Sequence, residues 1–211
     1  MSLTEAIVHL TTDKNTTHAY IPLYEKLLSS KKTTANNVLE IGIGDTNTQN
    51  GGSIQLWRKY FTNAKIHALD ILPISRVLDE LVHDDRVILY TSIDAYNADF
   101  VKSTFIDKNV QFDVLLDDGP HTLASMITFI TLYSQIMTSD GILIIEDIPN
   151  ITWIDKLKKS VPDHLKPFIR VYDLRKKKKL GFCCRTPVSK FARAARCMQF
   201  AAPLPASSCS C

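Results

Sequence analysis

From Val38 to Arg175, short apolar runs alternate with longer segments of helical spacing, and that order leaves few folds open. The runs are "NVLEIGIG", "AKIHALDI", "RVILYTSI", "QFDVLLDD", "DGILIIEDI" and "FIRVYDLR", the fifth introduced by the turn signal Ser139-Asp140-Gly141. Between them, "GGSIQLWRKYF" reads as a helix entered through Gly52-Ser53, with Ser53 as its N-cap. A second helix is opened by Pro73, "HTLASMITFITLYSQIM" makes a long third, and a fourth covers Ile154–Val161. Apolar strands alternating with helices predict an α/β fold built on a parallel sheet with right-handed crossovers.

Ligands of such sheets bind beyond the carboxyl ends of the strands, beside the switch in strand order. The strand ends here read Glu40-x-Gly42-x-Gly44, Asp70, Ser92-x-Asp94, Asp117-Asp118 and Glu146-Asp147. An acid at one strand end often caps a helix or solvates a loop. Five in succession make that reading weak. Glycines after the first strand let a ligand approach the backbone, and the next helix offers free N–H groups. The third glycine of a dinucleotide fingerprint is replaced by Asn47, so nicotinamide is not favoured. Asp70, at the end of the second strand, is placed to accept both hydroxyls of a ribose, which points to a nucleoside-containing cofactor. The stretch "LLDDGPHT" adds two adjacent carboxylates and His121 at the end of the fourth strand, either a turn with a polar rim or the edge of an active site.

"VLEIGIG" followed by "HALDI" resembles the first two motifs of class I S-adenosylmethionine-dependent methyltransferases. "TDKNTTHAYIPLY", "GGSIQLWRKYFTNAKIHALDI", "DDGPHT" and "GILIIEDI" are more specifically similar to the macrocin and mycinamicin type of sugar O-methyltransferase, with cephalosporin hydroxylase-like proteins as a neighbouring branch. The match runs from about Thr12 to Arg175. It implies a Rossmann-like class I methyltransferase sandwich, a mostly parallel seven-stranded sheet flanked by helices. By the same resemblance, Glu40, Gly42, Gly44, Ser53 and Asp70 line the methionine and ribose portions of S-adenosylmethionine, and Ser92 and Asp94 flank the adenine. Acids among Asp117, Asp118, Glu146 and Asp147 would hold Mg2+ or another divalent cation, with Asp117 favoured over Asp118 because it ends the strand. His121 matches the catalytic base, while Lys14, His18, Tyr20 and Tyr24 match a segment folded over the cofactor. The implied activity is O-methylation of a sugar or other small polyhydroxylated acceptor.

Charge and cysteine distribution divide the chain. Residues 174–211 hold nine Lys or Arg and no acid, leaving 16 Lys or Arg against 22 Asp or Glu in the rest. All five cysteines (Cys183, Cys184, Cys197, Cys209, Cys211) lie beyond residue 182, at spacings unlike a structural zinc site. Residues 1–36 are expected to cover the cofactor and substrate, and residues 37–187 to form the methyltransferase domain. Residues 188–211 should be a basic, poorly ordered tail dispensable for the fold, with "LGFCCRT" available as the last strand and "SKFARAARCMQF" as a short amphipathic helix. With no membrane span or secretory pattern, a cytoplasmic protein is expected, with a homo-oligomer allowed. An RNA cap or ribose methyltransferase is the alternative enzyme. It is disfavoured because the body lacks a broad basic surface and the strand ends lack the lysines of a Lys-Asp-Lys-Glu site. A cofactor-binding interaction protein without catalysis is the alternative of a different class.

Overall fold

The computed structural model describes residues 1–15, 20–44, 50–174 and 196–201. Seven strands form one sheet: β1 (Asn37–Ile41), β2 (Lys65–Leu69), β3 (Val87–Tyr90), β4 (Phe112–Asp117), β5 (Met137–Ile145), β6 (Arg170–Asp173) and β7 (Arg196–Ala201). Their order is β3-β2-β1-β4-β5-β7-β6. The first five pair in parallel, and β7 runs antiparallel between β5 and β6. Strand order reverses between β1 and β4, so the expected binding crevice lies over their carboxyl ends. Helices α1 (Leu3–Ala6), α2 (Ile21–Leu28), α3 (Gly52–Tyr60), α4 (Asp79–Val82), α5 (Ala98–Val101), α6 (Leu123–Tyr133) and α7 (Trp153–Ser160) complete the sandwich.

The central strands read as continuous apolar runs because both of their faces are covered. Alternate residues sort into two cores. Val38, Val114, Leu116, Ile142 and Ile144 pack with Ile21 and Tyr24 of α2 and Ile54 and Trp57 of α3. Leu39, Ile41, Leu115, Leu143 and Ile145 pack on the opposite face with Phe129 and Tyr133 of α6 and Leu157 of α7.

Four local readings differ from the structure. Gly51, with φ +124°, is the N-cap of α3, and Ser53 sits inside the first turn with its hydroxyl turned to Glu40. Pro73 opens a single 3₁₀ turn, Ile74–Arg76, and α4 starts only at Asp79. Ser139-Asp140-Gly141 does not interrupt β5. It is absorbed as an irregularity, since β4 advances from Phe112 to Val114 while β5 advances from Met137 to Ile142. The fourth concerns the boundary at residue 187. Arg196–Ala201 supplies β7, and Met198 is fully buried in the core shared with α6. That stretch was legible equally as a helix, because short apolar runs do not fix their own period. "LGFCCRT" lies outside the described residues.

Candidate active site at the carboxyl ends of the sheet

The register of the strands decides which side chains meet. Leu69, Ile41, Asp117 and Ile145 form one row across β2, β1, β4 and β5. Backbone pairing continues one residue further, with Gly42 N–H donating to Leu69, Asp118 N–H to Ile41 and Glu146 N–H to Asp117. The next row is therefore Asp70, Gly42, Asp118 and Glu146. Side chains alternate along a strand, so Glu40, Asp118 and Glu146 share the α2/α3 side while Asp117 turns to the α6 side.

Lys14 fills the α2/α3 side. It comes from the turn Asp13–Asn15, is 0% exposed, and places Nζ 2.7 Å from Asp118 Oδ2, 2.9 Å from Glu146 Oε1 and 3.2 Å from Glu40 Oε1. The other oxygen of Glu40 accepts from Ser53 Oγ and Trp57 Nε1, both at 2.8 Å. Tyr24 donates to Glu146, and Tyr20 Oη donates to Asp147 Oδ1 at 2.5 Å. Burial pushes the Glu40 carboxyl up to about 7 despite the pull of Lys14. Burial and the neighbouring Asp118 push Glu146 well above the usual carboxylate range. Burial works to lower Lys14, but Asp118, Glu146 and Glu40 together hold it well above its ordinary value.

On the other side, Asp117 accepts from Tyr96 Oη, and burial pushes it up to about 7. Tyr133 Oη donates to the Ala95 carbonyl at 2.7 Å and so fixes the loop that carries Tyr96. Asp117 belongs to neither cluster of possible metal donors among the described residues. This differs from the expectation that favoured it as ligand, and the strand alternation is the reason.

Two such clusters share Asp118: Glu40 with Asp118 and Glu146, and Asp118 with His121 and Asp147, the donor atoms of each lying within 4.8 Å of one another. Lys14 occupies the first. In the second, His121 Nε2 is 3.7 Å from Asp118 Oδ1, and His121 Nδ1 is buried without a hydrogen-bond partner among the described residues. His121 does not begin the helix as expected. Thr122 is the N-cap of α6, accepting from Ser125 N–H. His121 and Asp147 hold φ of +54° and +46°, and Ser92 holds +57°. Left-handed backbone at non-glycine residues costs energy and gathers where function fixes the chain.

Beside this rim is a cavity of about 320 Å³ lined by Gly42, Gly44, Asp70, Asp94, Tyr96 and Asp118 among others. Asp70 Oδ2 accepts from Ile43 N–H at 2.7 Å and Oδ1 from Leu72 N–H at 2.9 Å, tying the glycine loop to the end of β2. Gly42 has φ +97°, and a Cβ there would run into the Asp118 carbonyl. Ile71, Leu72 and Ile93 supply apolar walls. Glu40 and Ser53 are not among the cavity's lining residues. Ser92 is not among its lining residues and donates its N–H to the Leu72 carbonyl. His18 and Asn47 lie outside the described residues. No pattern in the sequence singled out Tyr96. A lysine does reach the strand ends, but from outside the sheet, and among the described residues only Lys14 enters the cluster.

No family model matches the chain. The chain is 31% identical over 144 residues to an 8-demethyl-8-α-L-rhamnosyl tetracenomycin-C 2'-O-methyltransferase of Streptomyces olivaceus, covering 67% of this chain and 36% of that protein. It is 29% identical over 143 residues to a mycinamicin VI 2''-O-methyltransferase of Micromonospora griseorubida, covering 64% and 33%. Among solved structures, the MycE methyltransferase of the mycinamycin pathway, in complex with Mg, S-adenosylhomocysteine (SAH) and mycinamycin VI, superposes with TM-score 0.61 and 27% identity. That match covers 70% of this chain and 39% of the other. The chain has the class I methyltransferase fold and resembles the macrocin and mycinamicin sugar O-methyltransferases. It spans about a third of the length of the curated relatives it matches. No helix among the described residues is long and apolar enough to cross a membrane.

Proposed function

We propose that this chain is an S-adenosylmethionine-dependent, divalent-metal-assisted O-methyltransferase acting on a sugar or other small polyhydroxylated acceptor. The observation that carries this reading is the meeting of Asp118, His121 and Asp147 at the rim of a cavity floored by Gly42 and Asp70. Both implied groups suit the residues present. The cavity is in the size range of small-molecule sites and combines apolar walls with a few polar groups. Gly42 leaves room that a Cβ would fill. Each Asp70 oxygen keeps a second lone pair for a ribose hydroxyl after accepting its backbone N–H. The carboxylates of Asp118 and Asp147 are hard oxygen donors of the kind Mg2+ prefers, and the His121 imidazole stands beside them.

When bound, S-adenosylmethionine would supply a methyl group on a sulfonium leaving group. A divalent cation held by Asp118 and Asp147 would act as Lewis acid toward an acceptor hydroxyl. The chain's own part is orientation and proton transfer. Asp70 and the glycine loop would fix the nucleoside, with Asp94 and the apolar walls around the ring. His121, whose Nε2 lies 3.7 Å from Asp118, would take the hydroxyl proton. Tyr20 holds Asp147 in place through its hydroxyl. Supporting the acceptor class, the curated relatives are named for methylation of sugar hydroxyls on glycosylated natural products.

The test is transfer of labelled methyl from S-adenosylmethionine to a panel of glycosides with vicinal hydroxyls, run in chelator and after magnesium is restored. Transfer should vanish in chelator and return with magnesium. His121→Ala should lower turnover by roughly 10²–10⁴-fold, the range for a lost general base. Full transfer in excess chelator would overturn the metal-assisted reading.

A further inference from the structure

Lys14 is a charged group in the site whose placement the proposed chemistry does not require. It is fully buried, yet it reaches the sheet from a turn outside it and touches carboxylates from the ends of β1, β4 and β5. Its segment is held closely. A Cβ on Gly52, the first residue of α3, would run into the Thr11 carbonyl, so α3 and the approach to Lys14 are pressed together. Tyr20 and Tyr24, further along the same segment, bond to Asp147 and Glu146. The N-terminal segment thus brings one ammonium and two phenols to four acids that would otherwise repel one another.

Asp118 is shared. Its Oδ2 faces Lys14 at 2.7 Å, and its Oδ1 faces His121 Nε2 at 3.7 Å. We infer that the Lys14 ammonium serves as the internal counter-cation of the carboxylate cluster and competes with a divalent metal for it. This rests on the metal-assisted reading above. Without metal, Lys14 neutralises acids that have little water to do so. With metal on Asp118 at the usual magnesium–oxygen distance of about 2.1 Å, the ion would lie within about 7 Å of Nζ. Like charges at that separation, at an effective dielectric of about 20, repel by more than a tenfold change in affinity. The opposite role, in which Lys14 aids the metal by fixing Asp118, predicts weaker metal binding once the lysine is gone.

Calorimetric titration of magnesium into wild type and Lys14→Met separates these. Lys14→Met should bind magnesium at least tenfold more tightly and melt lower in chelator, and it should gain more in Tm from magnesium than wild type does. A purely structural lysine would lower Tm and leave affinity where it was. Equal or weaker binding by Lys14→Met, with wild type binding normally, overturns this inference alone; no binding to wild type overturns the metal reading itself. Because coupling is reciprocal, wild type gives a second test that needs no variant. Acetylation of Lys14, read by peptide mass spectrometry, should rise severalfold on saturation with magnesium. Unchanged or deeper protection of Lys14 contradicts the competition, including in the case where Lys14→Met does not fold.

Discussion

Asp117 and Asp118 are adjacent in the chain and serve opposite faces of the sheet: Asp117 accepts from Tyr96 on the α6 side, while Asp118 bonds to Lys14 and faces His121 on the other. One residue of register separates a buried structural acid from a member of the candidate metal site. Asp118→Asn should therefore weaken magnesium binding by about 100-fold or more, at least the effect of losing a group that merely supports a ligand. Asp117→Asn should weaken magnesium binding far less than Asp118→Asn does, since it is in neither donor cluster among the described residues. Calorimetry on both variants checks this, and the reverse ranking would reassign the ligand.

His67 gives a pH dependence unrelated to the metal. It is 5% exposed, stacked on Tyr90 and edge-on to Phe112, and burial with help from Lys65 lowers it to about 4. The unfolded chain binds this proton more readily than the folded one. Stability should therefore fall as pH drops from about 6.5 towards 4, by at most about 3 kcal/mol from this group. Urea melts across that range should show the loss in wild type and a shallower one in His67→Phe. Parallel curves would show that His67 is not the group responsible.

Gly42→Ala combines two costs, a left-handed φ and a Cβ driven against the Asp118 carbonyl. It should destabilise the fold by about 2 kcal/mol or more and weaken cofactor binding by displacing the row that carries Asp118. A denaturant midpoint unchanged from wild type would contradict the close approach of β1 and β4.

Met198 tests the role of β7. Met198→Ala should cost about 2–5 kcal/mol, the range for emptying a fully buried site. Truncation after residue 187 should expose β5 and leave β6 without a partner strand. A truncated chain as stable as wild type would show that the sheet is complete without β7.

The parallel core was legible because strands covered on both faces must be apolar throughout, and the acids at their ends stood out against that background. Asp70, Asp118, Glu146 and Asp147 could be named from that contrast. That contrast did not reveal their partners: Lys14, Tyr20 and Tyr24 were named only through the family resemblance, as a segment over the cofactor, and not as partners of these acids. Lys14 is more than a hundred residues from Asp118 in sequence, and nothing local marks a lysine destined for burial. Tyr96 lies in a loop whose path depends on Tyr133 of α6. The choice between Asp117 and Asp118 needed the register of β4 against β1 and β5. The segment around Met198 was ambiguous for a different reason, since six residues are too few to separate a strand from a helical turn.

The central claim is that the cavity over Gly42 and Asp70 binds the nucleoside of a methyl donor. Calorimetric titration with S-adenosylhomocysteine, with NAD as the comparison ligand, tests it most directly. The account predicts saturable binding of S-adenosylhomocysteine that weakens by at least tenfold in Asp70→Asn, where one charged acceptor is lost. Binding of NAD in preference to S-adenosylhomocysteine, or no loss of affinity in Asp70→Asn, would contradict it.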